Sequence, residues 1–251
     1  MDLDTVLKQL QEERRHVRGQ SDWFDVLPNL TRCGNRAHGW AEVGYSELTE
    51  KDVDAAIAEQ VAFFAKMGQE FEWTVYGTDG PADLKERLAR HGFEIGPREA
   101  VMIYDLEDGL APFSQVDCRV VRVATTDQVE EFRGVAEAVF EKDYSRTCGE
   151  LAAGLGSTNH LGYIAYDGDQ PVGIGRLYTM PDSRFGGLYG GGTLASHRGR
   201  GFYRALVATR AQDAEKFGAR YLRVDALPTS RPILERMGFT HLTDTWPCTH
   251  G

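Results

Sequence analysis

The sequence predicts an α+β fold with a mostly antiparallel sheet flanked by helices, arranged as two lobes. Three observations lead there. Runs of helical apolar period, at Lys51–Met67 and Gly201–Phe217, alternate with short β-rich runs. Turn-rich stretches at Gly34–Gly39 and at Asp167-Gly168-Asp169-Gln170 separate pairs of such runs, as in hairpins. The two halves also end their helices alike. Leu-Lys-Glu-Arg-Leu-Ala-Arg-His-Gly-Phe closes at Phe93, and Pro-Ile-Leu-Glu-Arg-Met-Gly-Phe closes at Phe239.

At 251 residues the chain has room for one large domain or two small ones. A net charge of −10 argues against non-specific nucleic-acid binding and against an anionic membrane surface. Cys33, Cys118, Cys148 and Cys248 are scattered, with no C-x-x-C and no matching histidine pairs. Neither a metal site nor a disulfide framework is expected, and free thiols suit a reducing compartment. The charged, amphipathic start (Met1 to Arg18) is not a signal peptide, and no run is apolar enough to span a bilayer. The expectation is a cytoplasmic protein.

In chain order, Leu3 to Val17 reads as a helix with Leu3, Val6, Leu7 and Leu10 on one face. An apolar patch begins at Trp23, Phe24, Val26 and Leu27. Leu30–Cys33 and Trp40–Leu48 form an antiparallel hairpin. In the helix from Lys51 to Met67, Val53, Ile57, Val61, Phe64 and Ala65 mark the buried face. Glu72–Tyr76 is a strand. Pro81 starts a helix where its missing N–H does no harm, Gly92 ends it, and Phe93 opens a strand reaching about Tyr104.

Asp105 to Val116, with Glu107-Asp108-Gly109, Pro112 and Ser114, reads as a linker. This divides the chain into residues 1–110 and 117–251. Beyond it come a strand (Cys118–Val123), two helices (Thr126–Phe140 and Ser145–Leu155) and a hairpin of Leu161–Tyr166 with Pro171–Thr179. Gly186–Gly192 is a Gly/aromatic strand whose Gly190-Gly191-Gly192 suggests a bulge or a close backbone approach. A helix from about Gly201 to Phe217 follows, with Phe202, Ala205, Leu206 and Thr209 on one face and Gly218 as its left-handed cap. Ala219–Ala226 is a strand, Ser230–Met237 a helix, and Gly238-Phe239 leads into a last strand.

The stretch from Thr193 to Tyr203 joins strand to helix through Arg198-Gly199-Arg200-Gly201. The first N–H groups of a helix lack internal partners, and the helix dipole favours an anion there. Gly199 and Gly201 allow positive φ and close approach. Arg198, Arg200 and Arg204 add forked, permanently charged donors. The plainer reading is a basic surface turn. The stretch is neither a P-loop nor a dinucleotide fingerprint, since it lacks the Gly-Lys pair of one and the third glycine of the other.

Arg198-Gly199-Arg200-Gly201-Phe202-Tyr203 resembles the acyl-CoA pyrophosphate loop of the GNAT superfamily of N-acetyltransferases, R/Q-x-x-G-x-G/A. Arg198 matches its first position and Gly201 its first glycine. Tyr203 departs from the final Gly/Ala and narrows the space beside the pyrophosphate. The element order and the Gly238-Phe239 ending resemble the same family, from about Val116 to the C-terminus. The resemblance implies two GNAT-like lobes, each a mixed, mostly antiparallel sheet flanked by helices. The first is a degenerate copy, because the stretch Gly44–Glu50 before its helix has no R-x-x-G-x-G.

The resemblance further implies acetyl-CoA as co-substrate, held by Arg198, Gly199, Arg200, Gly201, Phe202 and Tyr203. Its thioester would lie in a gap between 188–194 and 220–226, where a small-molecule amine attacks directly. A backbone N–H at Thr193 or Leu194 would serve the oxyanion. Ser230 is either a helix N-cap or a hydrogen-bond partner of the pantetheine arm. The family's frequent tyrosine, four residues before Gly-Phe, is here Leu234, so Tyr189, Tyr203 or Tyr221 substitutes or the thiolate leaves unassisted. Asp225 is the first choice as base, against the plainer role of a salt-bridged strand-end carboxylate. Glu137, Glu141 and Asp143 are either ammonium-holding groups on the acceptor side or merely exposed. His160 is a titrating group or a surface histidine, and His197 faces solvent. The rival functions are a non-catalytic acyl-CoA-binding or regulatory protein and an interaction module without CoA. The protein is expected to be a monomer or homodimer. A first lobe acting as pseudo-symmetric partner favours the monomer.

Overall fold

The computed structural model describes residues 1–114 and 117–251. Gln115 and Val116, the last residues of the expected linker, lie outside the described residues. By internal contacts the chain divides into two units that interleave in sequence. Unit 1 is Met1–Val101 with Ala226–Pro228 and His241–Gly251; unit 2 is Met102–Asp225 with Thr229–Thr240.

In unit 1, α1 (Leu3–His16) starts at Asp2, whose carboxylate accepts the Asp4 N–H, and buries Val6 and Leu10. A meander of β1 (Trp23–Val26), β2 (Leu30–Asn35) and β3 (Trp40–Ser46) follows. β1 is a strand where the sequence suggested only an apolar patch. α2 (Val53–Met67) crosses over to β4 (Phe71–Tyr76), which runs parallel to β3. α3 (Leu84–Arg90) leads to the short β5 (Glu94–Ile95). The chain's last strand, β12 (Thr240–His250), pairs antiparallel with both β4 and β5. The single strand expected from Phe93 to Tyr104 is therefore two, β5 and β6 (Glu99–Asp105). Gly96 lies between them: its N–H donates to the Pro247 carbonyl at 2.8 Å, and a Cβ on it would stand 2.7 Å from that oxygen. Ile57, Phe64, Trp73, Val75 and Leu88 anchor the core of this unit.

Unit 2 continues with β7 (Arg119–Arg122), α4 (Thr126–Phe140), α5 (Ser145–Ala153), β8 (His160–Asp167), β9 (Gln170–Tyr178) and β10 (Phe185–Thr193). It closes with α6 (Phe202–Lys216), β11 (Tyr221–Ala226) and α7 (Arg231–Arg236). Its strands lie in the order β6-β11-β10-β9-β8-β7. The pairs β7–β8, β8–β9 and β9–β10 are antiparallel, and β10 with β11, which α6 connects, is parallel. One face of the sheet packs on α4 and α5 through Ile164, Tyr166 and Ile174. The other face receives α6. There Gly173, Gly175 and Gly186 let Leu206, Arg210 and Ala214 come close.

The two units share a local order: β3-α2-β4-α3 ending at Gly92 (φ +91°), and β10-α6-β11-α7 ending at Gly238 (φ +90°). At the start of the equivalent helices they differ. α6 is preceded by Gly201, left-handed at φ +92°, whereas α2 is preceded by Asp52, whose carboxylate accepts the Thr49 N–H at 2.7 Å. Among the described residues no helix is long and apolar enough to cross a membrane.

Candidate functional site

The parallel pairing of β10 with β11 is confined to Phe185–Gly187 and Tyr221–Arg223, although β10 runs on to Thr193 and β11 to Ala226. Beyond Gly187 the register of β10 against β9 also slips. Tyr189 lies opposite Arg176 and Gly192 opposite Ile174, so Gly190 and Gly191 together face the single Gly175. This is the β-bulge that the three glycines suggested. Gly190 is left-handed at φ +53°. A Cβ on Gly192 would strike Val139 of α4 at 2.5 Å, so that position requires glycine for space.

β10 runs into a short 3-10 turn (Ala195–His197), then the Arg/Gly stretch, then α6. Gly199 (φ +76°) and Gly201 (φ +92°) have nothing within 4 Å of a Cβ, so their backbone conformation, not crowding, selects glycine, and the turn is open. No side chain caps the first turn of α6. Its leading N–H groups are thus directed to an exposed place beside the separated strands. Phe202, Ala205 and Leu206 are buried as expected, together with Val207 and Ala208.

Two guanidinium groups bracket the bulge from opposite faces. Arg210 of α6 is 1 % exposed. Its Nε donates to the Leu206 carbonyl (2.9 Å), and its Nη1 to the carbonyls of Arg176 (3.1 Å) and Tyr189 (3.5 Å). It therefore ties together the two residues that face each other across the ladder just before the slip. Burial draws its pKa down to about 10. Arg176 of β9 extends to the α4/α5 face, with Nε and Nη2 3.3 Å from where a Cβ on Gly190 would be. Neither arginine was singled out from sequence. The available signal was helical spacing, which puts Arg210 on one stripe with Tyr203 and Leu206.

The predicted residues fall as follows. Thr193 is buried, and its hydroxyl has no hydrogen-bond partner among the described residues. The Leu194 N–H, expected near the oxyanion, donates to the Val172 carbonyl at 2.9 Å and is taken. Arg198 bends back, its Nε on the Thr193 carbonyl at 3.3 Å, and Arg200 pairs with Asp167 at 2.7 Å. Tyr203 lies with its ring edge 3.2 Å from a Gly191 Cβ position, and its hydroxyl hydrogen-bonds Ser230. Burial raises its pKa, and the Arg210 charge and Ser230 oppose the rise. Ser230 is the N-cap residue of α7 by position, but its side chain does not cap the helix.

Asp225 stands on β11 past the last residue paired with β10, with Oδ1 and Oδ2 accepting from Nε and Nη2 of Arg223 at 3.2 and 2.5 Å. Leu234 is fully buried. Glu137, Glu141, Lys142 and Asp143 line an open cavity of about 400 Å³ at the α4–α5 junction. Two expectations are corrected. His160 is not a surface residue: it is 5 % exposed and stacks on Tyr178 with ring centroids 4.3 Å apart. His197 does not face solvent freely: its side chain is mostly covered and sits 3.4 Å from Asp167.

The model of the acetyltransferase (GNAT) family matches residues 125–239. That segment holds the bulge, the Arg/Gly turn, α6, β11 and α7. No curated protein sequence matches the chain. Among solved structures, a GCN5-related N-acetyltransferase from Kribbella flavida is 18 % identical with a TM-score of 0.70, covering 98 % of this chain and 93 % of that one. A conserved protein of unknown function from Staphylococcus epidermidis is 14 % identical with a TM-score of 0.71, covering 93 % and 94 %. A tandem GNAT protein from the clavulanic acid biosynthesis pathway is 12 % identical with a TM-score of 0.55, covering 88 % and 78 %. These likenesses concern the fold, an α+β architecture of GNAT type over nearly the whole chain. The family match is to residues 125–239, the segment that bears the site, and the likenesses to solved structures extend the fold over nearly the whole chain.

Proposed function

We propose that the protein is an acyl-CoA-dependent N-acyltransferase that moves an acetyl group from acetyl-CoA to a small-molecule amine by direct attack. The observation that carries this reading is the end of β10–β11 pairing at Gly187 and Arg223, next to an open, uncapped helix start at Gly201. A ligand with an anionic head and a thin arm suits such a place, the head on the N–H groups of α6 and the arm between the strands. The buried, unpartnered Thr193 hydroxyl faces the same side of the sheet as Leu206 and is a further donor for it.

When bound, acetyl-CoA supplies the thioester carbonyl. Around it we assign the following roles to the chain's residues. The N–H groups of the bulge at Gly190 and Gly191 replace that of Leu194 as oxyanion donors, since they lie off the regular ladder. Tyr203, held by Ser230, gives a proton to the departing thiolate. Tyr189 lies on the other face, and Tyr221 packs on Phe185 in the paired part of the strands, so neither is as well placed. Glu137, Glu141 and Asp143 attract the ammonium form of the amine to the α4/α5 side.

A non-catalytic acyl-CoA-binding role is the second reading. It is favoured by Leu234 at the family's tyrosine position and by the engagement of Asp225 with Arg223. Calorimetric titration with acetyl-CoA, on the native chain and on an Arg198→Ala, Gly201→Glu double variant, tests the shared part of both. Micromolar binding lost in the variant is expected; no binding to the native chain overturns both. CoA release from a panel of amines then separates turnover from binding alone.

A further inference from the structure

Arg176 is a guanidinium without an anion. Its Nη1 donates to the Tyr178 hydroxyl at 2.8 Å, while its Nε is buried with no acceptor among the described residues. Among the described residues no carboxylate lies within 4 Å of it. Of the other covered guanidinium groups, Arg14 has Asp79 at 2.9 Å and Arg223 has Asp225, while Arg210 has backbone carbonyls on both Nε and Nη1. The Nε–Nη2 edge is the fork that receives two oxygens of a planar anion. Here that edge is turned to Gly190, where a Cβ would stand 3.3 Å from both Nε and Nη2 and take the space in front of the fork.

The position of this fork bears on which molecule reaches it. The Arg/Gly turn, Tyr203 and α6 occupy one face of the sheet, so the acyl donor proposed above takes that side. An amine that meets the same bulge has the α4/α5 face left to it. Arg176 is on that face, in register with Tyr189 and beside Tyr178, whose rings meet edge-on at 5.1 Å. Burial raises the pKa of Tyr144 and the Arg176 charge opposes the rise; this tyrosine follows Asp143 at the cavity lined by Glu137, Glu141, Lys142 and Asp143. A fixed cation at the bulge and carboxylates farther out complement a molecule with charges of both signs.

We propose that Arg176 binds the carboxylate of the acceptor, so that the amine acylated here is an amino acid or a similar amine bearing a carboxylate. This rests on the acyltransferase reading and names its substrate class. The test is calorimetric titration of common α-amino acids and their carboxamides onto the protein saturated with CoA. At least one amino acid binds about a hundredfold more tightly than its amide, as expected for loss of a charge-assisted fork. Arg176→Gln removes that preference, and Arg176→Lys keeps part of it, with CoA affinity unchanged in both. If CoA binds but every amide binds as well as its acid, or if Arg176→Gln keeps the preference, the inference is overturned and the acyltransferase reading stands. If CoA does not bind, that reading fails. The same titration onto the protein alone then still decides whether Arg176 holds a carboxylate.

Discussion

The guanidinium of Arg210 occupies the space where a side chain on Gly175 would begin: a Cβ there would lie 2.8 Å from both Cζ and Nη1. Gly175 is the residue that faces the two-residue bulge, and Arg210 bonds the carbonyls of Arg176 and Tyr189 at its edge. One arginine from α6 therefore fixes the shape of β10 where the strands separate. Gly175→Ala should displace it and destabilise the protein by about 1–3 kcal/mol, the usual cost of overpacking. In an Arg210→Met background the same change should cost clearly less, because the obstructing group is gone. Urea denaturation of the four members of this double-mutant cycle checks it. Simple additivity would mean that Arg210 does not set the requirement for glycine.

Much of this arrangement was legible in the sequence, for identifiable reasons. α2 and α6 announce themselves by helical period, and the Gly92 and Gly238 stops by their left-handed backbone. The Arg/Gly turn and the bulge were legible because glycine marks positions where backbone conformation or space excludes a side chain. What escaped depends on contacts distant in the chain. β1 has four residues and no clear alternation, and pairing with β2 defines it. The requirement for glycine at position 96 is set by Pro247, far along the sequence. Arg210 and Arg176 look like ordinary surface arginines until the fold buries one and leaves the other without an anion.

Tyr203 carries two separable predictions, because its hydroxyl and its bulk act differently. Tyr203→Phe removes only the group that meets Ser230. Turnover should fall roughly 10²-fold, the lower range for a lost general acid, while acetyl-CoA affinity stays within a factor of about two. Tyr203→Gly restores a small residue at the loop's last position and clears the space beside Gly191. It should tighten acetyl-CoA binding even as turnover drops. Steady-state kinetics with parallel calorimetry reads both. Unchanged turnover in Tyr203→Phe would remove the tyrosine from the proposed proton transfer.

Buried thiols and phenols set an alkaline limit to stability. Burial raises Cys148 from 9.0 to about 11 and Cys248 to about 12, and it raises Tyr166 and Tyr178 from 10.0 to about 12. For an acid whose folded pKa is raised, the neutral form favours the fold. That stability is fully present below the unfolded pKa and is lost as pH rises through the folded one. Unfolding free energy should therefore be flat up to about pH 9 and fall between about pH 9 and 12. Cys148→Ala should delay the first part of the fall. Urea denaturation as a function of pH checks this, and a decline beginning well below pH 9 would assign it to other groups.

Asp225 separates a base from a structural carboxylate. It lies on β11 just beyond the segment paired with β10, where an amine-activating group would be wanted. Both of its oxygens nevertheless accept from Arg223 on the same strand face. To take a proton it must weaken that charge-assisted fork with Arg223. If Asp225 were the base, Asp225→Asn would cost about 10²- to 10⁴-fold in turnover and remove a limb of the pH profile. Held by Arg223, it should instead cost less than about tenfold and leave the pH profile unchanged, with the amine's own deprotonation setting the rise with pH. Asp225→Ala, which removes the carboxylate that the Arg223 fork meets, should lower stability more than turnover, by about 1–3 kcal/mol for a lost charge-assisted pair. Loss of the pH-profile limb in Asp225→Asn would restore Asp225 as the catalytic base and count against the non-catalytic alternative.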